Sequence, residues 1–197
     1  MISFFIPLLK SNYYNMKKLL LLLIAITTVS CNNTSEPAKV VEGAEAQTNA
    51  ASDPNDFEEL KSLEGKWAGT LERTDGSSDE FTLDYTVTSN GSAILEESDT
   101  GGTEMLSIFN FQNDELLLTH YCGLQNKPIS KLTGNNNGVL SFATDSKMSG
   151  LTLEKDTYVT SWEINLLPED DNQLMYKYTV SGPDGDVFTA TSTLSRI

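Results

Sequence analysis

From residue 67 onward the chain alternates. In 81–88, Phe81, Leu83, Tyr85 and Val87 take every second position, with Thr82, Asp84, Thr86 and Thr88 between them. A period of two belongs to a strand with one dry face and one wet face. Asn90-Gly91 follows, a pair that tolerates the positive φ a hairpin turn requires, and 93–97 is the return strand. Apolar runs and alternation predict further strands over 105–112, 115–122, 139–143, 151–154, 158–167, 173–181 and 187–194. Asn113-Asp114, Glu169 to Asn172 and Gly182 to Gly185 are the turns. Trp162, Tyr158 and Ile164 are assigned to one strand face that packs the core. Such a series of short strands, mostly neighbours in sequence, suits an all-β antiparallel up-and-down barrel of about 8–10 strands, which leaves no exposed edge. A sandwich is the alternative.

Ahead of the strands the period changes. Phe57, Leu60 and Leu63 recur every third residue, enough for one apolar stripe on a short helix. Asp53 is placed to cap it, Pro54 suits its first position, and Asp56 stands at the capping-box offset. Gly65 can end it with a left-handed residue.

Nearer the start, Lys17 and Lys18 precede an apolar run from Leu19 to Ile26, then Ser30 and Cys31. This run is too short for the ~20 residues of a spanning helix. The order of basic pair, apolar core, small residue and cysteine resembles a bacterial lipoprotein signal, with Thr28 where leucine is usual. The resemblance implies cleavage before Cys31, lipidation of Cys31, and a true start at Met16. An ordinary secretory signal cut nearby is the alternative. The expected location is the bacterial cell envelope, lipid-anchored, at the outer membrane and facing periplasm or exterior. Residues 32–52 are rich in Asn, Ser, Thr, Ala, Glu and Gln, with few large apolar side chains. Such a composition cannot bury enough surface to offset its ordering entropy. The segments are therefore 1–31 signal and lipidation site, 32–52 flexible tether, and 53–197 barrel domain.

The net charge is −15. Removal of 1–30 takes away Lys10, Lys17 and Lys18 and no acidic residue, leaving ten basic residues against 28 acidic and a net charge of −18. That field repels phosphate backbones, which argues against nucleic-acid partners. It also repels anionic lipid, so the acyl chains must provide the membrane attachment.

There are two cysteines and one histidine. With Cys31 taken by lipid, Cys122 has no partner in its own chain. It sits in Thr119-His120-Tyr121-Cys122-Gly123 beside the single histidine. On a strand His120 and Cys122 share a face with Leu116 and Leu118, an interior face, and Tyr121 points the other way. Three readings stay open: a core cysteine beside a hydrogen-bonded histidine, a ligand-contacting wall of His120, Tyr121 and Cys122, or a thiolate nucleophile. Nothing in the spacing supplies a third group to orient the pair, so no catalytic residue is predicted and an enzyme is the least favoured reading. One His and one Cys are too few for zinc, and no metal site is predicted. The acidic turns Asp184-Gly185-Asp186 and Asp170-Asp171-Asn172 lack the spacing of an EF-hand.

The start of the domain, Leu63-Glu64-Gly65-Lys66-Trp67-Ala68-Gly69, is similar to the Gly-X-Trp opening of lipocalins and related calycin barrels. The second lipocalin motif, Thr-Asp-Tyr, and the family disulfide are absent. The resemblance implies that a short helix leads into the first strand and that Trp67 plugs the closed end. It also implies that an arginine from a late strand stacks on Trp67, with Arg196 the positional candidate and Arg73 the second. The barrel would then be a cup for a small hydrophobic or amphipathic ligand. A structural or protein-interaction lipoprotein with a filled barrel is the alternative. No cofactor is expected, although haem-binding calycins use a histidine, and His120 is the one candidate here.

Overall fold

The computed structural model describes residues 52–166 and 170–197. The segment 1–31 with Cys31, the tether up to residue 51, and the turn residue Glu169 lie outside the described residues. Helix α1 spans Pro54–Lys61 and is closed by the expected capping box, Asp53 accepting from the first turn and Asp56 reaching back to the Asp53 backbone. Its stripe buries Phe57 and Leu60.

Ten strands follow: β1 (Gly65–Arg73), β2 (Ser78–Thr88), β3 (Ala93–Thr100), β4 (Thr103–Gln112), β5 (Glu115–Tyr121), β6 (Ile129–Asn136), β7 (Val139–Thr144), β8 (Tyr158–Asn165), β9 (Gln173–Gly182) and β10 (Gly185–Arg196). Each pairs antiparallel with its neighbours in sequence, and β1 pairs with both β2 and β10, so the sheet closes. The fold is therefore an all-β up-and-down barrel of ten strands preceded by a short helix. Closure allows β1 to run close to β10. At Gly69 an added Cβ would stand 2.5 Å from the Thr193 carbonyl oxygen and 3.2 Å from the Leu194 Cα. Only glycine fits there without backbone movement.

Alternation places Leu71, Phe81, Leu83, Tyr85, Ile94, Phe109, Leu118, Leu140, Phe142, Trp162 and Ile164 inside. The Asn113-Asp114 turn has φ of 53° and 60° at its two residues, the left-handed pair of a tight hairpin.

Three expectations need correction. Strand β6 lies in a segment to which the alternation assigns no strand, because its inward positions include Ser130 and because its register shifts between Leu132 and Gly134. Residues 151–154, read as a strand from Leu-Thr-Leu, form a turn with Leu153 exposed, following the four-residue helix α2 (Ser146–Ser149). Alternation alone does not make a strand where no neighbouring edge is free to pair. Tyr158 does not share the core face of Trp162 and Ile164: the register of β8 shifts between Val159 and Ser161, so Val159 joins the core cluster and Tyr158 is buried outside it. A bulge reverses the facing of every residue beyond it.

Candidate ligand-binding site

The two ends of the barrel differ. At the end where β1 begins, Trp67 is buried, and its indole N–H donates to the Leu63 carbonyl at 2.8 Å. The Arg196 guanidinium lies over the Trp67 ring, 4.2 Å from its centroid, and donates to the Glu64 and Ser62 carbonyls at 2.7 and 3.0 Å. Gly65 has φ of 118°, and an added Cβ would stand 3.1 Å from Arg196 Nη1. One arginine therefore ties the last strand to the helix-to-strand turn and covers the indole face, a cation–π contact between partly desolvated groups. Arg73, the second candidate, is at the opposite end, where it pairs with Asp79 at 2.8 Å and lies 5.5 Å from the Phe188 ring centroid.

At that opposite end is a cavity of about 310 Å³. Its wall is mostly apolar and aromatic: Phe81, Met105, Val159, Trp162, Tyr176, Tyr178, Val180 and Phe188. Arg73, Asp79, Thr103, Gly123 and the half-exposed Leu124 stand where the strands end. Ser98, Thr100, His120 and Cys122 provide polar atoms on the wall. The volume falls at the lower end of the ~300–1,000 Å³ of small-molecule sites, and the mixture of apolar wall and few polar groups is theirs as well.

His120 and Cys122 thus meet at the cavity wall, placed there by β5 alternation, and Tyr121 does not. Tyr121 is on the outer face and 47% exposed, so the candidate set reduces to the two interior members. Burial pushes the Cys122 thiol up, which disfavours the thiolate needed of a nucleophile. Among the described residues no group of three or more His, Cys, Asp and Glu is placed to hold a metal ion.

Beneath the cavity lies a polar network that alternation within single strands does not reveal. Glu96 of β3 is 1% exposed. Its Oε2 accepts from the Tyr85 hydroxyl at 2.5 Å, and its Oε1 accepts from Ser107 Oγ at 2.7 Å and from the Tyr176 hydroxyl at 3.3 Å. Ser107 Oγ is also 2.9 Å from His120 Nδ1. Three strands therefore supply the donors around one carboxyl, β2, β4 and β9, and β5 joins the network through the His120–Ser107 contact. Burial pushes the Glu96 carboxyl up, opposed by its three hydroxyl donors. Burial, and after it the Glu96 charge, holds the Tyr85 and Tyr176 phenols well above their ordinary 10.0, so both remain donors.

His120 is 5% exposed and packs edge-on against Trp162 with ring centroids 5.7 Å apart. Burial lowers its pKa from 6.5 to about 4. The unfolded chain then takes up the histidine proton before the folded one does, so stability falls as pH drops from 6.5 toward 4 and levels off below. Between about pH 7.5 and pH 4.5 the wild-type chain should lose roughly 2–3 kcal/mol more than a His120→Asn chain, measured by urea unfolding at both pH values. Glu96, with a raised folded pKa, works in the opposite sense in both proteins and cancels from the comparison.

Thr100 Oγ1 is buried on the cavity wall with no hydrogen-bond partner among the described residues. Thr100→Val keeps the shape and removes the orphaned hydroxyl, and should raise unfolding stability by about 1 kcal/mol. A loss of stability on thermal melting would mean that the hydroxyl is satisfied in solution.

No family model matches the chain, and no curated protein matches it. Among solved structures it is similar to a protein of unknown function of the DUF3598 family from Nostoc punctiforme, at 14% identity and a TM-score of 0.48, over 70% of this chain and 49% of the other. This chain thus spans about half the length of that neighbour. It is also similar to EF1p2_mFAP2b bound to DFHBI, at 13% identity and a TM-score of 0.35, over 72% of this chain and 98% of the other. A redesigned β-barrel matches at 15% identity and a TM-score of 0.35, over 70% of this chain and 93% of the other.

Proposed function

We propose that this protein binds a small hydrophobic or amphipathic molecule in the end of the barrel opposite Trp67, and that lipid on Cys31 holds it on the bacterial cell envelope. The observation that carries the binding reading is the cavity of about 310 Å³, with an aromatic wall and a buried histidine among its few polar groups. A barrel filled throughout by its own side chains would have no such space. Here the half around Trp67 is the filled one, where Trp67, Leu140, Leu174 and Leu194 are each at most 1% exposed. The filled half gives the ligand a floor and limits its length. Attachment rests on the sequence alone: the Lys17-Lys18 pair, the apolar run and Ser30-Cys31. With a net charge of −15, membrane contact through acyl chains is more favourable than contact through the protein surface.

Native mass spectrometry of the full chain purified from its envelope tests both parts. The expected spectrum carries an N-terminal mass increment of a lipidated Cys31 and a second, non-covalent increment that disappears on denaturation. The mass of that second increment also reports on haem held through His120. A bare polypeptide mass that stays bare after incubation with envelope lipid extract would remove the carrier reading.

A further inference from the structure

The polar floor of the cavity specifies what kind of group the ligand brings to it. Ser107 Oγ carries one proton and stands between Glu96 Oε1 at 2.7 Å and His120 Nδ1 at 2.9 Å. Tyr85, Tyr176 and Ser107 all converge on the Glu96 carboxyl, and among the described residues the two phenols donate to no other acceptor. Three donors around one carboxyl complement its ionised form, which accepts at both oxygens. The Ser107 proton is then spent on Glu96, and Ser107 Oγ must accept from His120. That places the imidazole proton on Nδ1 and leaves Nε2 with a bare lone pair. Nε2 has no protein partner among the described residues, and the ring lines the cavity. A second buried polar atom on the same wall, Thr100 Oγ1, is also unpartnered.

Charge decides the rest. Arg73 on the cavity wall is held by Asp79 at 2.8 Å, and His120 is neutral, so the cavity offers no free cation to an anionic headgroup. The carboxyl of Glu96 and the net charge of −15 oppose an anion further. A charged amine would leave water for a wall whose carboxylate, Asp79, is already held by Arg73.

Resting on the cavity as a binding site, we infer that its ligand is a neutral, largely apolar or aromatic molecule that presents one hydrogen-bond donor, a hydroxyl or N–H, to His120 Nε2. The Glu96–Ser107 pair fixes the acceptor; Ser107 is a positioning residue that touches the histidine and not the ligand. Ligands of the same shape without the donor leave the imidazole lone pair unpaired and bind less well.

Three probes of one shape test this with the full chain: 2-naphthol, 2-methoxynaphthalene and 2-naphthoate, titrated by calorimetry. The single histidine makes the ¹⁵N spectrum of His120 a direct reading of its tautomer. The expected result is protonation at Nδ1, a shift of the Nε2 signal on adding 2-naphthol, and binding of 2-naphthol about tenfold tighter than the ether, with 2-naphthoate weakest. Ser107→Ala should release the tautomer and bring naphthol and ether to within about twofold. Equal binding of ether and naphthol in the wild-type chain, or a proton found on Nε2, would overturn the donor requirement and leave the cavity standing as a site. Tightest binding by 2-naphthoate would overturn the neutral class. Failure of all three to bind would overturn the cavity reading itself, and the inference with it.

Discussion

Replacing Glu96 with alanine is expected to destabilise the barrel by about 3–5 kcal/mol, measured by urea unfolding at neutral pH. The substitution removes the one acceptor that Tyr85, Ser107 and Tyr176 share. Ser107 keeps His120, but two phenol hydroxyls are left in a core where both rings are at most 3% exposed. Each buried, unpaired hydroxyl costs roughly 1–3 kcal/mol, and the truncated side chain leaves a gap as well. Removing a buried charge can stabilise a protein when its partners are replaced too; here the partners stay. Glu96→Gln keeps the volume and one acceptor oxygen and turns an amide donor toward hydroxyls that also donate, so its cost should be smaller, about 1–3 kcal/mol. An alanine variant within about 1 kcal/mol of wild type would show that the three hydroxyls find other partners.

The second large effect is at the other end. Trp67→Ala should cost about 3–5 kcal/mol. Trp67 is among the largest fully buried side chains, and its loss also strips the Arg196 guanidinium of its stacking face and frees the Leu63 carbonyl from its donor. Arg196→Ala removes the stack and two bonds to the Ser62 and Glu64 carbonyls. Those carbonyls are near water, so that cost should be smaller, about 1–2 kcal/mol. A double-mutant cycle on Trp67 and Arg196 reads their coupling directly. Because both residues lie at the closed end, neither substitution should change affinity for a ligand in the opposite end more than stability alone requires.

Much of this fold is legible in the chain. The alternation of 81–88 gives β2 because the sheet there has one dry face, and the capping residues Asp53, Pro54 and Asp56 locate α1 without any tertiary contact. The pairing of Trp67 with Arg196 is also legible, through a resemblance rather than a pattern. Segments whose facing depends on a register shift are not. Strand β6 puts Ser130 inside and Ile129 at its start, and β8 changes face between Val159 and Ser161. The decision lies in how a neighbouring strand pairs, not in local residues.

Half of the site is legible for the same reason. His120 and Cys122 share a face with Leu116 and Leu118, so their meeting at the cavity wall follows from the pleat. Glu96 was hidden because it stands in Glu96-Glu97-Ser98-Asp99, a run that reads as a solvated acidic face. The signal lies one step before it: Ile94 is interior, so Glu96, Ser98 and Thr100 at spacings of two must follow it inward. Its partners Tyr85, Ser107 and Tyr176 come from three other strands, and no spacing in the chain brings them together.

The central claim is that the space opposite Trp67 holds a ligand, and methyl-labelled methionine NMR of the full chain tests it most directly. Met105 lines that cavity, and Met175 is 38% exposed on the outer face. On titration with 2-naphthol, and then with envelope lipid extract, the account predicts that the Met105 methyl signal shifts and saturates as Met175 stays in place. A Met105 signal that never moves, or one that moves only together with Met175, would contradict it.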